Sequence, residues 1–323
     1  MNSISKTQFT VLLVITDMFG LFCCCGDISL VTLWGYLAGV GVQFLFGIMY
    51  AVRGGELGRK AGYFYLLYAV FCGGTLFSEL WQTSSAIYIP YESSHEIWGK
   101  LMTAGLIALV CLYSSSTGIK PVARAAVIVG ALGAVCIMTD FASALFNAEW
   151  HNVILPKERG YTQELLRGMA YSGGLGSFAV LLGKVRGDKF RAVAVYYAVK
   201  AAATAVVLLT ALAVSGGIMS VSDFPVITAA QLSQPFDAQR IDSIFLVVFA
   251  VFAVYSVTLQ VMTGAHLLKE LFPHFERWRS TVVIAATVLT AVMLPSHPLL
   301  YVRAFAAIAA MIFAPLGAKK TAA

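Results

Sequence analysis

The sequence predicts an all-α membrane protein with about ten transmembrane helices, and two observations carry this prediction. The chain has 323 residues, of which 59% are hydrophobic and 12% charged, with a mean hydropathy of +0.81. A soluble domain carries about 25% charged residues. The apolar residues also fall into runs near the roughly 20 residues that a helix needs to cross a bilayer. Such runs are too long for the strands of a barrel, so a helical bundle follows.

Ten runs of spanning length lie between charged or turn-rich breaks. They cover about 9–27, 31–52, 61–86, 97–114, 122–146, 162–183, 192–216, 241–267, 279–295 and 299–317. Ten spans with short connections use nearly the whole length and leave no room for a sizeable soluble domain. We therefore expect a single membrane domain over residues 1–323.

Cationic residues alternate from one connection to the next. Of the 22 lysines and arginines, 15 lie near the two termini and in alternate connections, at Lys6, 53–60, 115–124, 184–191, 268–279 and 319–320. Because positively charged loops stay in the cytoplasm, we expect both termini to be cytoplasmic. The net charge of +6 reflects these loops, and nucleic-acid binding is set aside. The longest opposite connections, about 147–161 and 217–240, are expected to be loops or interfacial half-helices.

Two spans carry interruptions at corresponding places of a five-plus-five division. Thr16-Asp17-Met18-Phe19-Gly20 places an acid and a glycine inside the first span, and Ser172-Gly173-Gly174-Leu175-Gly176 places three glycines inside the sixth. Each glycine weakens a helix interior by roughly 1 kcal/mol. The two spans enter the membrane from opposite sides, which predicts inverted repeats over about 9–146 and 162–317. Interrupted helices in inverted halves are typical of the substrate site of secondary transporters.

Backbone groups freed at such interruptions can bind a small charged molecule. The candidate ligand-binding residues are therefore Thr16, Asp17, Met18, Phe19, Gly20, Ser172, Gly173, Gly174 and Gly176. The alternative is that the glycines only let neighbouring helices pack closely.

Asp17 is the most informative ionisable residue, because charges inside the bilayer are costly and usually functional. It lies eight residues into the first span, about 12 Å deep at 1.5 Å per residue. Lys200 lies at a similar depth in the seventh span and is its candidate charge partner. Asp17 then either pairs with Lys200 or receives a substrate ammonium or a coupling cation, and a purely structural ion pair is the alternative. Charged residues nearer the outer ends of spans are interpreted as lining a wet vestibule or snorkelling, at Glu79, Asp140, Arg167 and Arg303.

No enzyme, cofactor or metal site is predicted. The five histidines show no metal-ligand spacing, and the chain has neither a Walker sequence nor a dinucleotide fingerprint. The six cysteines lie in apolar stretches, where they are expected to be small buried hydrophobic residues.

Several short strings follow one another in the order seen in a known family. They are Ile4-Ser5-x-x-Gln8, Gly118 to Arg124, Asn152 to Pro156, Phe224-Pro225 and Arg240-Ile241-Asp242. Through them the chain resembles the endospore germination B-subunit family, the GerAB-like branch of the amino acid–polyamine–organocation transporters. One departure lies in the first span, where the family has glycine-small-glycine followed by proline and this chain has Thr16 to Gly20.

The resemblance implies a LeuT-like fold of ten helices in two inverted five-helix repeats. It also implies a pocket for a small nutrient, usually an amino acid, between broken helices 1 and 6, in the bacterial inner membrane of the cell or spore. The implied activity is nutrient sensing linked to spore germination, with the A subunit and the lipoprotein C subunit of a germinant receptor as partners. Two alternatives stay open: a stand-alone amino acid permease coupled to H⁺ or Na⁺, and an assembly subunit with a degenerate pocket.

Overall fold

The structure, a computed structural model, describes residues 3–24, 28–88, 96–145, 148–150, 153, 160–215, 223–232, 242–275, 277–294 and 300–318. Some predicted features lie outside these residues: most of the 152–156 string, Arg240 and Ile241, the tail lysines at 319–320, and much of the two long connections.

The described part of the chain forms twelve α-helices. They are α1 Lys6–Phe22, α2 Leu30–Val52, α3 Arg59–Tyr88, α4 Glu96–Thr117, α5 Ile119–Ala144, α6 Tyr161–Ala170, α7 Leu175–Leu182, α8 Lys189–Ser215, α9 Pro225–Leu232, α10 Asp242–Leu271, α11 Arg279–Met293 and α12 Leu300–Leu316. A 3-10 turn, Pro273–Phe275, lies between α10 and α11.

Each predicted run coincides with one of these helices, except that the sixth run is divided into α6 and α7. The short helix α9 lies within the predicted 217–240 connection. Among the described helices, six are long and apolar enough to cross a membrane, or seven if the bent pair α6–α7 is one span. Helices α1, α11 and α12 are shorter, with 17, 15 and 17 residues. The chain is a multi-pass membrane protein, and the number of ten spans stays a prediction.

The predicted interruption of the first span is wrong. Helix α1 is continuous from Thr16 to Gly20 and ends at Phe22, before the predicted end near 27. A single glycine costs a helix only about 1 kcal/mol. The Thr16 hydroxyl donates to the Leu12 carbonyl of the same helix at 3.0 Å, and Asp17 finds its partners on other elements. The predicted interruption of the sixth span is present, because α6 and α7 are separated by a short break and bent by 48°.

A capping box fixes the start of α1. The Gln8 N–H donates to the Ser5 hydroxyl at 3.2 Å, and the Ser5 N–H donates to the Gln8 side-chain oxygen at 2.9 Å. Ile4 forms a β-bridge with Val185, and its N–H donates to the Lys184 carbonyl at 3.0 Å. The string Ile4-Ser5-x-x-Gln8 is therefore a helix start that is joined to the α7–α8 connection.

One end of the bundle carries the cationic connections, and we call it the basic face. The Gly58 N–H of the α2–α3 connection donates to the Gly317 carbonyl beyond α12 at 2.8 Å. Lys189 at the start of α8 donates to the Gly54 carbonyl of the same connection. The Lys184 carbonyl accepts from the Ile4 N–H, and Lys184 also lines a cavity together with the α4–α5 connection, the end of α10 and the start of α11. The alternation seen in the sequence thus brings these connections to one face, and its assignment to the cytoplasm stays a prediction.

Helix α1 lies in the middle of the bundle, packed against α5, α8 and α10. The ring of Phe9 lies 5.9 Å from that of Tyr196 on α8, and the ring of Phe19 lies 5.3 Å from that of Phe249 on α10. Helix α7 also contacts α1, and α2 packs against α6 and α8. The break between α6 and α7 therefore lies beside the centre of α1.

Glycines let α2 and α6 cross closely. A Cβ atom on Gly35 would lie 2.5 Å from the Glu164 carbonyl oxygen, and one on Gly39 would clash with the Gly168 backbone. Small residues at such crossings are a common feature of membrane helix packing. These glycines position α6 and therefore the break.

We expect Gly39→Ala to destabilise the protein by about 1–3 kcal/mol, because the new methyl group overpacks the α2–α6 crossing. Gly41→Ala is the matched control, since on the same helix its Cβ meets no neighbouring element within 4 Å. Thermal unfolding in detergent measures both variants. Equal unfolding temperatures would contradict the close crossing.

Candidate functional site

The break between α6 and α7 covers residues 171–174, directly after Ala170 and before Leu175. Helix ends leave N–H and C=O groups without partners inside the helix. Inside a membrane these groups must be satisfied by other parts of the protein. The break is therefore a place where polar side chains are needed.

Two glycines bring this break against α1. A Cβ atom on Gly173 would lie 2.9 Å from the Thr16 carbonyl oxygen, and one on Gly174 would lie 3.3 Å from the Asp17 Oδ2 atom. A larger side chain at either position would push the two helices apart. The glycine cluster thus lets the break approach α1 closely, in addition to interrupting the helix.

The Asp17 carboxylate is buried and accepts three hydrogen bonds. The Gly174 N–H and the Lys200 ammonium both donate to Oδ1 at 3.0 Å, and the Tyr196 hydroxyl donates to Oδ2 at 2.6 Å. Gly174 stands at the amino end of α7, where a negative charge is favoured by the helix dipole. Asp17 therefore caps α7 from a neighbouring helix.

Lys200 on α8 is equally buried, at 0% exposure, and donates to three oxygens. Its Nζ atom lies 3.0 Å from Asp17 Oδ1, 2.9 Å from Gln43 Oε1 and 3.2 Å from the Tyr171 carbonyl oxygen. It also lies 4.5 Å from the centre of the Tyr171 ring. An ammonium has three N–H donors, so these three oxygens use all of them. The positive charge lies at the carboxyl end of α6, where the helix dipole favours it.

Two buried glutamines satisfy the remaining carbonyls of the break. The Gln43 amide donates to the Tyr171 carbonyl at 3.0 Å, and the Gln260 amide donates to the Gly173 carbonyl at 2.7 Å. The Ser177 hydroxyl then donates to Gln260 Oε1 at 3.1 Å. Sequence reasoning missed Gln43, although a lone amide in the middle of an apolar span is a signal for such a role.

A cavity of about 170 Å³ lies beside the break, on the side away from the basic face. We call it the outer cavity. Residues from α1, α2, α3, α6, α12 and the break line it: Gly20, Cys23, Cys24, Tyr36, Glu79, Arg167, Ala170, Tyr171, Ser172, Gly173, Leu300 and Arg303.

Only three of the nine predicted ligand-binding residues line the outer cavity, namely Gly20, Ser172 and Gly173. The other six are buried in the frame around it: Thr16, Asp17, Met18, Phe19, Gly174 and Gly176. The four residues on α1 are excluded because α1 stays helical, so its backbone has no freed groups in this stretch. Gly174 and Gly176 are excluded because they pack closely against Asp17 and Gln260.

The wall of the outer cavity holds charged side chains that the sequence analysis interpreted as vestibule or snorkelling residues. Arg303 on α12 donates to Glu79 Oε1 on α3, and Arg167 Nη1 lies 3.3 Å from Glu164 Oε1. Among the described residues, the buried atoms Glu79 Oε2 and Arg167 Nη1 have no hydrogen-bond partner. The wall of the outer cavity therefore contains one carboxylate oxygen and one guanidinium nitrogen that are buried and make no hydrogen bond, although the guanidinium is ion-paired with Glu164.

Comparison with solved structures identifies the fold. The structure of MhsT in complex with L-phenylalanine is similar to this one: the match covers 98% of this chain and 88% of the MhsT chain, with 13% sequence identity and a TM-score of 0.62. A second similar structure is that of Mhp1, a nucleobase-cation-symport-1 family transporter in a closed conformation with bromovinylhydantoin bound. The match covers 96% of this chain and 76% of the Mhp1 chain, with 13% sequence identity and a TM-score of 0.59. A third is that of a Na⁺-coupled sialic acid symporter in a substrate-bound outward-open state. The match covers 98% of this chain and 72% of the symporter chain, with 11% sequence identity and a TM-score of 0.52.

These similarities show a LeuT-like transporter fold, as expected from the sequence. No protein-family model matches the chain, and no curated protein matches it. The narrower resemblance to the germination B-subunit family stays a prediction.

We expect Asp17→Asn and Lys200→Met each to destabilise the protein by about 3–5 kcal/mol, because either change leaves one buried charge without its partner. The double variant should be destabilised by less than the sum of the two single destabilisations, since no unpaired charge remains. Thermal unfolding in detergent measures this cycle. Arg191→Gln is the control, because its ion pair with Asp188 is exposed and should contribute under about 1 kcal/mol. Strictly additive effects at 17 and 200 would contradict the coupling.

Proposed function

We propose that the chain binds a small zwitterionic nutrient, an amino acid, in the outer cavity. The observation that carries the proposal is a pair of buried atoms without a hydrogen bond in the described part of the chain, Glu79 Oε2 and Arg167 Nη1, the second of which has only an ion pair with Glu164 at 3.3 Å. A buried polar atom without a partner raises the free energy of the protein. A ligand with both an ammonium and a carboxylate would give both atoms a hydrogen bond once the two side chains turn toward the outer cavity.

The carboxylate of the ligand would be bound by the arginines. Arg167 and Arg303 both line the outer cavity, and a guanidinium matches the planar geometry of a carboxylate. Arg303 is hydrogen-bonded to Glu79, whereas Arg167 Nη1 makes only an ion pair with Glu164 at 3.3 Å and no hydrogen bond, so Arg167 is the better partner for the carboxylate.

The ammonium of the ligand would be bound by Glu79. Arg303 holds Oε1 of this carboxylate and so orients Oε2 for another donor. Ser172, Gly173 and Gly20 complete the wall next to this position and stay as proposed ligand contacts. Asp17 and Lys200 are proposed to build the frame rather than to contact the ligand.

The size of the outer cavity supports a small ligand. Its volume of about 170 Å³ is below the roughly 300–1,000 Å³ of pockets for drug-sized molecules. The fold supports the same class of ligand, since MhsT was solved with L-phenylalanine. A small amino acid therefore fits this conformation better than a nucleoside or a sugar.

Two functions use such a site, and we propose nutrient sensing ahead of transport. The sequence resemblance to germination B subunits supports a sensing subunit that works with A and C subunits in spore germination. The fixed ammonium of Lys200 argues against Na⁺ coupling at the break, because it occupies the oxygens that a Na⁺ ion would use there. The second candidate is a stand-alone permease coupled to H⁺ or Na⁺, which the transporter fold supports.

The proposed topology follows the sequence analysis. Both termini lie in the cytoplasm of a bacterial cell or spore, and the chain is one membrane domain with repeats over about 9–146 and 162–317. The gathering of cationic connections on the basic face supports this orientation.

We expect Gly20→Leu to abolish amino acid binding without unfolding the protein. Gly20 lines the outer cavity, and a Cβ there meets no neighbouring element within 4 Å, so the leucine fills the space of the ligand. A bound ligand at 100 times its Kd stabilises the protein by about 2.7 kcal/mol, which a thermal shift with a panel of amino acids measures.

Gly105→Leu on α4 is the matched control, because its Cβ also meets open space but lies outside the outer cavity. It should keep the thermal shift. Analogues that lack either the amino or the carboxyl group should produce no shift in the unchanged chain. A shift that survives Gly20→Leu would place the ligand elsewhere.

Uptake by proteoliposomes that contain the chain alone separates the two functions. For the sensing subunit we expect the stabilising amino acid to bind without being accumulated. Accumulation of the amino acid by the unchanged chain, and its loss in Gly20→Leu, would identify the permease instead. Gly105→Leu again serves as the control for correct insertion.

A further inference from the structure

A second cavity, of about 550 Å³, opens on the basic face. We call it the basic cavity. The α4–α5 connection, the last turns of α10, the start of α11 and Lys184 surround it. Its lining residues are Ser115, Ser116, Thr117, Gly118, Ile119, Lys120, Pro121, Lys184, Met262, Ala265, His266, Lys269, Glu270, Arg279 and Ser280.

The charge of the basic cavity is strongly positive. Four cationic side chains line it, namely Lys120, Lys184, Lys269 and Arg279. Glu270 is the one acidic residue among the described lining residues, and it already contacts Lys184 at 3.8 Å and His266 at 3.0 Å. The cations therefore outnumber the carboxylate, and the cavity attracts an anion.

Two helix amino termini add to this positive field. Helix α5 begins after Gly118, and α11 begins after Trp278, and neither residue supplies a side-chain cap. The first residues of both helices line the basic cavity. Helix amino termini favour phosphate and other anions. The Ser115 hydroxyl oxygen is also buried in this wall and has no hydrogen-bond partner within the described ranges.

An apolar groove of about 290 Å³ adjoins the basic cavity. The two spaces share Thr117 and Pro121. The groove runs between α4, α5 and α10, and most of its wall is apolar, including Val110, Val122 and Val254. Tyr113 at its edge is 72% exposed, so the groove is open toward the lipid.

The order of these two spaces along α10 follows the depth in the membrane. Thr258 lines the groove and His266 lines the basic cavity, eight residues further toward the basic face. Eight residues of helix correspond to about 12 Å. With the basic face at the membrane surface, we expect the cationic part at the level of lipid headgroups and the apolar part at the level of acyl chains.

We propose that the basic cavity and the apolar groove together bind one anionic phospholipid. Its phosphate contacts the four cationic side chains and the amino ends of α5 and α11, and an acyl chain lies in the groove. A cationic pocket between membrane helices is suited to such headgroups. A free phosphate would use the basic cavity but leaves the adjoining apolar groove unexplained, which is why the lipid is the favoured source of the anion.

The experiment uses the full chain, purified in a neutral detergent, with native mass spectrometry and thermal unfolding as readouts. Phosphatidylglycerol should bind and raise the unfolding temperature, whereas phosphatidylcholine with the same acyl chains should bind at least tenfold more weakly. Soluble glycerol phosphate should bind weakly, because it lacks the chains. Equal binding of phosphatidylcholine, or glycerol phosphate as tight as the lipid, would overturn the proposal.

Variants test the two parts of the site separately. The double change Lys120→Gln with Arg279→Gln should raise the Kd of phosphatidylglycerol about tenfold or more. Arg59→Gln with Lys60→Gln removes the same charge from exposed positions outside the basic cavity and should leave this Kd unchanged. Ala125→Leu narrows the groove, so it should weaken the lipid and not glycerol phosphate. If both double variants lost affinity for phosphatidylglycerol equally, the effect would come from net charge alone, and the proposed site would be refuted.

Discussion

The ion pair between Asp17 and Lys200 is the interaction on which the rest of the structure depends. The break between α6 and α7 places the negative end of one helix dipole beside the positive end of another inside the membrane. Lys200 contacts the first end and Asp17 contacts the second, at 3.0 Å from each other. Either charge alone would be expensive to bury, whereas together they satisfy the break and join it to α1, α2 and α8.

This frame decides where a ligand can be recognised. The groups freed at Tyr171, Gly173 and Gly174 are already satisfied by Gln43, Gln260 and Asp17. The backbone of the break is therefore committed to holding the fold together. The proposed recognition therefore uses side chains next to the break, which is why the atoms of Glu79 and Arg167 without hydrogen bonds matter more to the proposal than the glycines.

The sequence predicts properties that run along a helix better than properties that join helices. Counting residues from the ends of the apolar runs placed Asp17 and Lys200 at one depth, and the glycine cluster predicted the α6–α7 break. Whether α1 breaks depended on its side-chain partners, which a periodic pattern does not contain. The pair of Glu79 and Arg303 joins positions 224 residues apart, so only the packed structure brings it to the outer cavity.

The lysine at the break also limits how binding of a ligand can be coupled to binding of a cation. A mobile cation bound there would share its binding free energy with a substrate and leave with it, since linkage requires the two to favour the same state. The Lys200 ammonium is tethered to α8, so its contacts are part of folding rather than of ligand exchange. The ligand can then shift the conformation only through groups that it contacts differently in two states. In the proposed site those groups belong to the outer cavity, where the hydrogen bond from Arg303 to Glu79 connects α12 to α3.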